Sequence, residues 1–222
     1  MFNKVYYRLH RLASKSPERG EYSGGYWQDI IRRQALELCR GLNGRMLEVG
    51  CGEGLFLAQL ASQNPGLEIW GVDNNEVRLK EAQERFRAKN IKNINLFLQE
   101  ATDLRFEEGY FDTIACINVF LNMPSIKVVK ESLAQIKRVC KKSGKVIFDI
   151  RNRANPILAL KYMLAPYYDG TVKDLPLKVY GLNQVKNILE DLGFSILKER
   201  FIGFPIRRFS PIIIIEAQKN VD

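Results

Sequence analysis

The sequence predicts an α/β domain in which a parallel sheet carries helices on both faces. Short apolar runs alternate with segments of helical period through the middle of the chain. Turn-forming residues punctuate that alternation at Asn64-Pro65-Gly66, Ser143-Gly144 and Gly193. The 222 residues fit one large domain with small additions, and no repeat or low-complexity segment divides them.

A helix is expected over 27–40, inside a lead-in that occupies 1–44 and precedes the domain proper at 45–222. Residues 45–50 (RMLEVG) read as a short buried strand, and 54–63 as a helix stopped by Asn-Pro-Gly. Residues 67–72 (LEIWGV) form the second strand. A charged helix follows over 76–89, with Leu79, Ala82 and Phe86 on one face. Strands are expected at 94–99 and 112–117.

Ile126, Val129, Leu133, Ile136 and Cys140 recur at helical spacing over 125–141. Ser143-Gly144 is expected to break that helix before a fifth strand at 145–150. A last helix over 183–192 turns Val185, Ile188, Leu189 and Leu192 inward, with Gly193 as its C-terminal stop. Strands at 194–201 and 212–217 close the chain, with Pro205 and Pro211 bracketing the turn between them. Residues 151–182 read as a long connection rich in proline and tyrosine, a length that is usually functional or disordered. Its apolar content points to function. Tyr162, Tyr167 and Tyr168 either line a pocket or pack the connection.

The net charge of +9 is unevenly spread. Residues 46–150 hold 14 basic and 14 acidic groups, whereas 1–45 hold 9 and 4 and 151–222 hold 11 and 7. The excess lies wholly in the flanks, as expected for a solvated surface or for contact with an acidic substrate, nucleic acid or anionic membrane. The cysteines at 39, 51, 116 and 140 form no C-x-x-C pair, and His10 is the one histidine. Neither a metal site nor a disulfide framework is expected. No apolar run reaches the roughly 20 residues of a membrane span, and no signal-like core opens the chain, so a cytoplasmic location is expected.

The densest chemical signal is Leu47-Glu48-Val49-Gly50-Cys51-Gly52-Glu53-Gly54, a glycine turn between strand and helix. Glycines there allow close backbone approach to a ligand. The spacing is G-x-G-x-G, not the G-x-G-x-x-G of dinucleotide folds. Glu48 and Glu53 flank it, and carboxylates repel a pyrophosphate but attract a cation. Gly50 is expected to leave space for the ligand, and Cys51 to offer only backbone.

Asp73 ends the second strand, where an acid can accept both hydroxyls of a ribose, or cap the next helix. Asn74 adds a polar group beside it. Glu100 and Ala101 follow the third strand, placed to meet an adenine amino group and leave room for its ring. Asn118 ends the fourth strand, whose tip points at the same crevice. At the end of the fifth strand, Asp149, Arg151 and Asn152 either face an acceptor or form a salt-bridged turn.

These four elements, in this order, resemble the class I S-adenosylmethionine-dependent methyltransferases. The resemblance runs from about Arg45 to Ile150 and extends to the turn at Lys141-Lys142-Ser143-Gly144-Lys145. Residues 179–185 and Leu192-Gly193-Phe194 look like the C-terminal helix of the small-molecule branch. The resemblance implies a Rossmann-like seven-stranded sheet with the last strand antiparallel. It implies S-adenosylmethionine as cofactor, with S-adenosylhomocysteine as product, held by Glu48, Gly50, Cys51, Gly52, Asp73, Asn74, Glu100, Ala101 and Asn118. Glu100 stands where aspartate is more usual, and Asn122 where many members have histidine.

The expected reaction is direct in-line transfer, which needs positioning and exclusion of water more than a catalytic triad. Accordingly no catalytic residue is assigned, and any base falls to Asp, Glu or Tyr. The expected acceptor is a small or lipid-like molecule. RNA methylation and a non-catalytic cofactor-binding module are the alternatives. The segment Glu21-Tyr22-Ser23-Gly24-Gly25-Tyr26-Trp27 is either a lid hinged at the glycines or a fixed turn before a helix.

Overall fold

The computed structural model describes residues 26–168, 176–204 and 207–221. Of the lid segment 21–27 only Tyr26 and Trp27 are described, as the start of a helix, and His10, Pro205 and the side chains of Tyr167 and Tyr168 lie outside what is described.

Seven strands form one sheet: β1 (Arg45–Val49), β2 (Glu68–Asp73), β3 (Ile94–Leu98), β4 (Phe111–Cys116), β5 (Cys140–Arg151), β6 (Phe194–Ile202) and β7 (Ile212–Lys219), in the order β3-β2-β1-β4-β5-β7-β6. The first five pair in parallel, and β7 runs antiparallel to both β5 and β6. From β1 the chain steps outward to β2 and β3, then returns to place β4 on the other side. That reversal opens a crevice beyond the carboxyl ends of β1 and β4.

The helices are α1 (Tyr26–Leu38), α2 (Leu55–Gln63), α3 (Glu76–Ala88), α4 (Ile126–Val139), α5 (Pro156–Tyr168) and α6 (Leu182–Asp191). The period of two in β1 divides the core. Leu47 and Val49 join a cluster with Val129, Leu133 and Ile136 of α4 and Val185 and Leu189 of α6. Met46 faces the other way, into a cluster with Ile31 and Ala35 of α1, Phe56 and Leu60 of α2, and Phe86 of α3. Gly71 lets β2 sit under α2, since a Cβ there would lie 2.6 Å from Leu57 Cδ1 and 2.9 Å from Cys51 Sγ.

Two sequence expectations need correction. Ser143-Gly144 does not separate α4 from β5: the helix ends at Val139 and the strand begins at once with Cys140. Ser143 takes a φ of 58° while the pairing shifts register opposite Phe111–Thr113, so the two residues make an irregularity within a longer strand. The connection at 151–182 is not without regular structure, because α5 occupies its first half. Asn155 accepts the Leu158 amide at 2.6 Å and Pro156 takes the first helical position. The connection then returns to the sheet: Lys178 N donates to Leu121 O at 2.7 Å, and the buried Tyr180 hydroxyl donates to the carbonyls of Phe120 and Met123 at 3.0 and 3.1 Å.

Candidate functional site

The glycine turn follows β1 directly, and its three glycines at 50, 52 and 54 have φ of 75°, 51° and 72°. They serve different ends. A Cβ on Gly54 would lie 2.6 Å from Phe86, so this residue lets α3 pack close. A Cβ on Gly50 would lie 2.4 Å from Val119 Cγ2, so Gly50 makes room for the segment after β4. The missing Cβ of Gly50 therefore points at Val119 and not into open space, which leaves its backbone as the part that could border a ligand. Gly52 has nothing within 4 Å of its missing Cβ and is the glycine that faces open space.

The turn's amides are spent internally. Gly50 N and Cys51 N both donate to Val72 O, at 2.7 and 2.9 Å, and Gly54 N donates to Cys51 O at 2.9 Å. Gly52 N donates to Asp73 Oδ2 at 2.8 Å, in a buried bond. A phosphate cradle needs such amides free and aimed at the anion. Here they are occupied, and a carboxylate sits among them, which suits a cation instead.

Asp73 thus ties the ends of β1 and β2 together, and its Oδ1 accepts Asn75 N at 2.9 Å. The cap of α3 is Asn75, whose Oδ1 accepts Val77 N and Arg78 N. Asp73 is not the helix cap, and each of its oxygens keeps a lone pair. Past β3, Glu100 accepts from Asn74 Nδ2 through both oxygens, at 3.3 and 3.2 Å, which brings these two predicted residues together. Ala101 packs partly buried against the core beside them.

Glu48 is buried, and its Oε2 has no hydrogen-bond partner among the described residues. Burial pushes its carboxyl well above the usual 4.5; Arg32 pulls it back and Asp73 adds to the rise. Arg32, from α1, is a site residue the sequence did not reveal. Burial lowers its pKa, against the opposing fields of Asp29, Glu48 and Glu53. The lead-in helix therefore supplies the cation that balances the acids of the turn. Glu53 is buried too, with Arg85 Nη2 at 3.6 Å from its carboxylate and Arg85 Nε donating to its carbonyl at 2.9 Å. Its charge is engaged by α3.

Asn118 takes a φ of 61°, and two bonds hold it. Its amide donates to Asp149 Oδ1 at 2.6 Å, and its side-chain oxygen accepts from Arg151 Nη2 at 2.8 Å. Arg151 also pairs with the Asp149 carboxylate and donates from Nε to Tyr162 OH at 3.1 Å. Burial lowers the Arg151 pKa, but the fields of Asp149 and Tyr162 outweigh it and the net direction is upward. Of the two sequence readings for Asp149 and Arg151, the buried salt bridge is the one observed. Tyr162 joins it from α5 and connects that helix to the tip of β4. Asn152 instead donates to Arg208 O and Ser210 O, at 2.7 and 2.8 Å. In the short helix Phe120–Asn122, Asn122 Oδ1 is buried without a hydrogen-bond partner among the described residues.

All four cysteines are free and buried. Burial pushes the Cys39 and Cys140 thiols up to about 12, and those of Cys51 and Cys116 well above their usual range, so none is poised as a thiolate. Among the described residues no cluster of His, Cys, Asp and Glu could hold a metal, and no helix is long and apolar enough to cross a membrane.

Comparison with known proteins matches residues 46–144 to a family model described as a methyltransferase domain. The chain is 26% identical over 182 residues to a malonyl-[acyl-carrier protein] O-methyltransferase of Paenibacillus sp., covering 76% of this chain but only 65% of that protein. It is 27% identical over 183 residues to a tRNA (guanine-N(7)-)-methyltransferase of Streptococcus agalactiae, covering 77% of this chain and 80% of that one. Among solved structures, magnesium protoporphyrin IX methyltransferase from Synechocystis, with S-adenosylhomocysteine bound, superposes with a TM-score of 0.67 at 19% identity, over 99% of this chain and 96% of that one. Residues 46–144 thus match a methyltransferase domain, and the sheet order is that of the class I S-adenosylmethionine-dependent methyltransferase fold.

Proposed function

We propose that this chain binds S-adenosylmethionine in the crevice beyond β1, β2, β3 and β4 and transfers its methyl group to a small-molecule or lipid-like acceptor. One observation carries the cofactor reading: the turn amides are satisfied within the chain while Gly52 opens onto a space bordered by the Asp73 carboxylate. Such a site favours a cationic adenosyl compound over a pyrophosphate.

Asp73 would accept the ribose hydroxyls on its free lone pairs. Glu100, steadied by Asn74, would face the adenine amino group while Ala101 leaves room for the ring. The open side of Gly52, the backbone of Cys51 and the buried Glu48 would border the amino-acid end. When bound, the cofactor supplies an electrophilic methyl on a cationic sulfur. The protein's part is to orient an acceptor against it and keep water out. The Asn118–Asp149–Arg151–Tyr162 network provides a fixed wall for that, because each charged member is paired and buried.

The test is calorimetry with S-adenosylmethionine and with a nicotinamide dinucleotide, followed by turnover on a panel of acceptors. Binding of the first alone, with product formed on a small or lipid-like acceptor, supports the reading. Binding of the dinucleotide alone overturns it, and cofactor binding without turnover favours a regulatory module. The excess positive charge outside 46–150 favours one second reading, RNA methylation. Salt-dependent binding of RNA with methyl incorporation would support it.

A further inference from the structure

Helix α5 is built inside out. Leu158 is buried and Tyr162 half-buried on its inner side, as i and i+4 should be. The outer side carries Ile157, Leu160, Met163 and Leu164, which are 60%, 52%, 64% and 43% exposed. With 3.6 residues per turn these residues and Lys161 sweep a contiguous arc of roughly 160°. An ordinary surface helix would place charged residues there.

A second apolar element stands beside it. The Asn155 side chain caps the first turn of α5 and donates to Phe209 O at 2.7 Å, and Asn152 donates to Arg208 O. These buried asparagines fasten the Arg207–Phe209 turn to the start of α5. Phe209 is 41% exposed and Phe204, just before the turn, 79%. Among the described residues, the exposed charges of α5 and the turn have one sign: Arg153, Lys161, Arg207 and Arg208 are exposed, and 151–168 and 201–211 contain no Asp or Glu.

We propose that α5 and the Arg207–Phe209 turn form a docking surface for an anionic lipid bilayer, with α5 lying in its interface. A 13-residue helix is about 20 Å long, too short to span a bilayer but long enough to lie along one. Apolar side chains enter the acyl boundary while the arginines meet acidic headgroups; these two contributions together make reversible binding effective. Charge complementarity selects this occupant over a second copy of the chain, since two uniformly basic faces would repel. It also explains why the face is apolar where an RNA site would be polar and basic. Through Tyr162 and Arg151 the docked helix is bonded to Asn118 at the strand ends, so the surface lies on the crevice side of the sheet. The inference does not require the methyl-transfer reading.

The test is co-sedimentation of the full chain with vesicles of phosphatidylcholine alone and with about a third phosphatidylglycerol. Binding to the acidic vesicles is expected, weakening at least fivefold as salt rises well past physiological strength. Leu160→Ser/Met163→Ser should lower it at least tenfold, and Arg207→Gln/Arg208→Gln should remove the preference for acidic lipid. These side chains are exposed, so circular dichroism and S-adenosylmethionine calorimetry should match the parent, which separates failure of docking from failure of the crevice. Absence of vesicle binding, or binding indifferent to both variants, overturns the proposal. So does a dimer in sedimentation velocity that Leu160→Ser/Met163→Ser dissociates, or RNA binding lost in the same variant.

Discussion

The Asp73 carboxylate accepts the Gly52 amide at 2.8 Å, while a Cβ on Gly52 itself would meet nothing within 4 Å. One bond thus fixes the β1 turn to the tip of β2 and sets a negative charge beside the only approach that the three turn glycines leave open. Asp73→Ala removes acceptors for Gly52 N and Asn75 N together with the proposed ribose contact. S-adenosylmethionine affinity should fall more than tenfold, about 1.4 kcal/mol, with a loss of about 1–3 kcal/mol in stability from the orphaned amides. Calorimetry and urea unfolding measure the two. Unchanged affinity with reduced stability would leave Asp73 a purely structural role.

Substitutions at Gly50 and Gly52 should separate folding from binding. Gly50→Ala drives a Cβ into Val119 and should destabilise the protein, with partial rescue by Val119→Ala. At Gly52 a Cβ has no atom within 4 Å, so Gly52→Val should cost chiefly the strain of a left-handed backbone, about 1–2 kcal/mol, yet block the cofactor. Thermal melts and calorimetry on the same samples distinguish them. A Gly52→Val protein that binds normally would place the cofactor elsewhere.

Glu48 should give stability an unusual pH slope. Its native pKa is raised, chiefly by burial, so its contribution is fully present below the unfolded value near 4.5 and is lost as pH rises through the native value. Glu48→Gln cannot titrate. The stability of the variant relative to the parent should therefore improve as pH climbs from about 4.5 toward neutrality. A difference that stays flat across that window would show that Arg32 keeps Glu48 ionised throughout.

The buried pair of Asp149 and Arg151 should be costly to break from one side. Asp149→Ala leaves a guanidinium buried against Asn118 and Tyr162, a loss of about 3–5 kcal/mol. Asp149→Ala/Arg151→Met should lose less than the single variant. Urea unfolding reads both, and additive losses would mean the two residues act independently.

The parts written in local pattern were legible from the sequence, and the parts made by long-range burial were not. The strand–helix alternation and the turn spacing placed β1 through β4 within a residue or two. Helix α5 escaped because its apolar residues surround the axis and leave no 3.6-residue contrast, although Asn155-Pro156 marks its start. The start of β5 escaped because Ser143-Gly144 carries the same local chemistry in a bulge as in a break. Asp73, Asn74, Glu100 and Asn118 lie at strand ends, where topology alone gathers them. Arg32 lies in a helix remote in sequence, and only packing of α1 against α2, β5 and β7 brings its charge to Glu48. Likewise Tyr162 reaches Arg151 only because α5 forms.

A crystal structure with S-adenosylhomocysteine tests the central claim most directly. The predicted result has the ribose hydroxyls on Asp73, the adenine beside Glu100 and Ala101, and the amino-acid end across the open face of Gly52. Density for the nucleoside away from the ends of β1 and β2, or an empty crevice in crystals grown at saturating ligand, would contradict it.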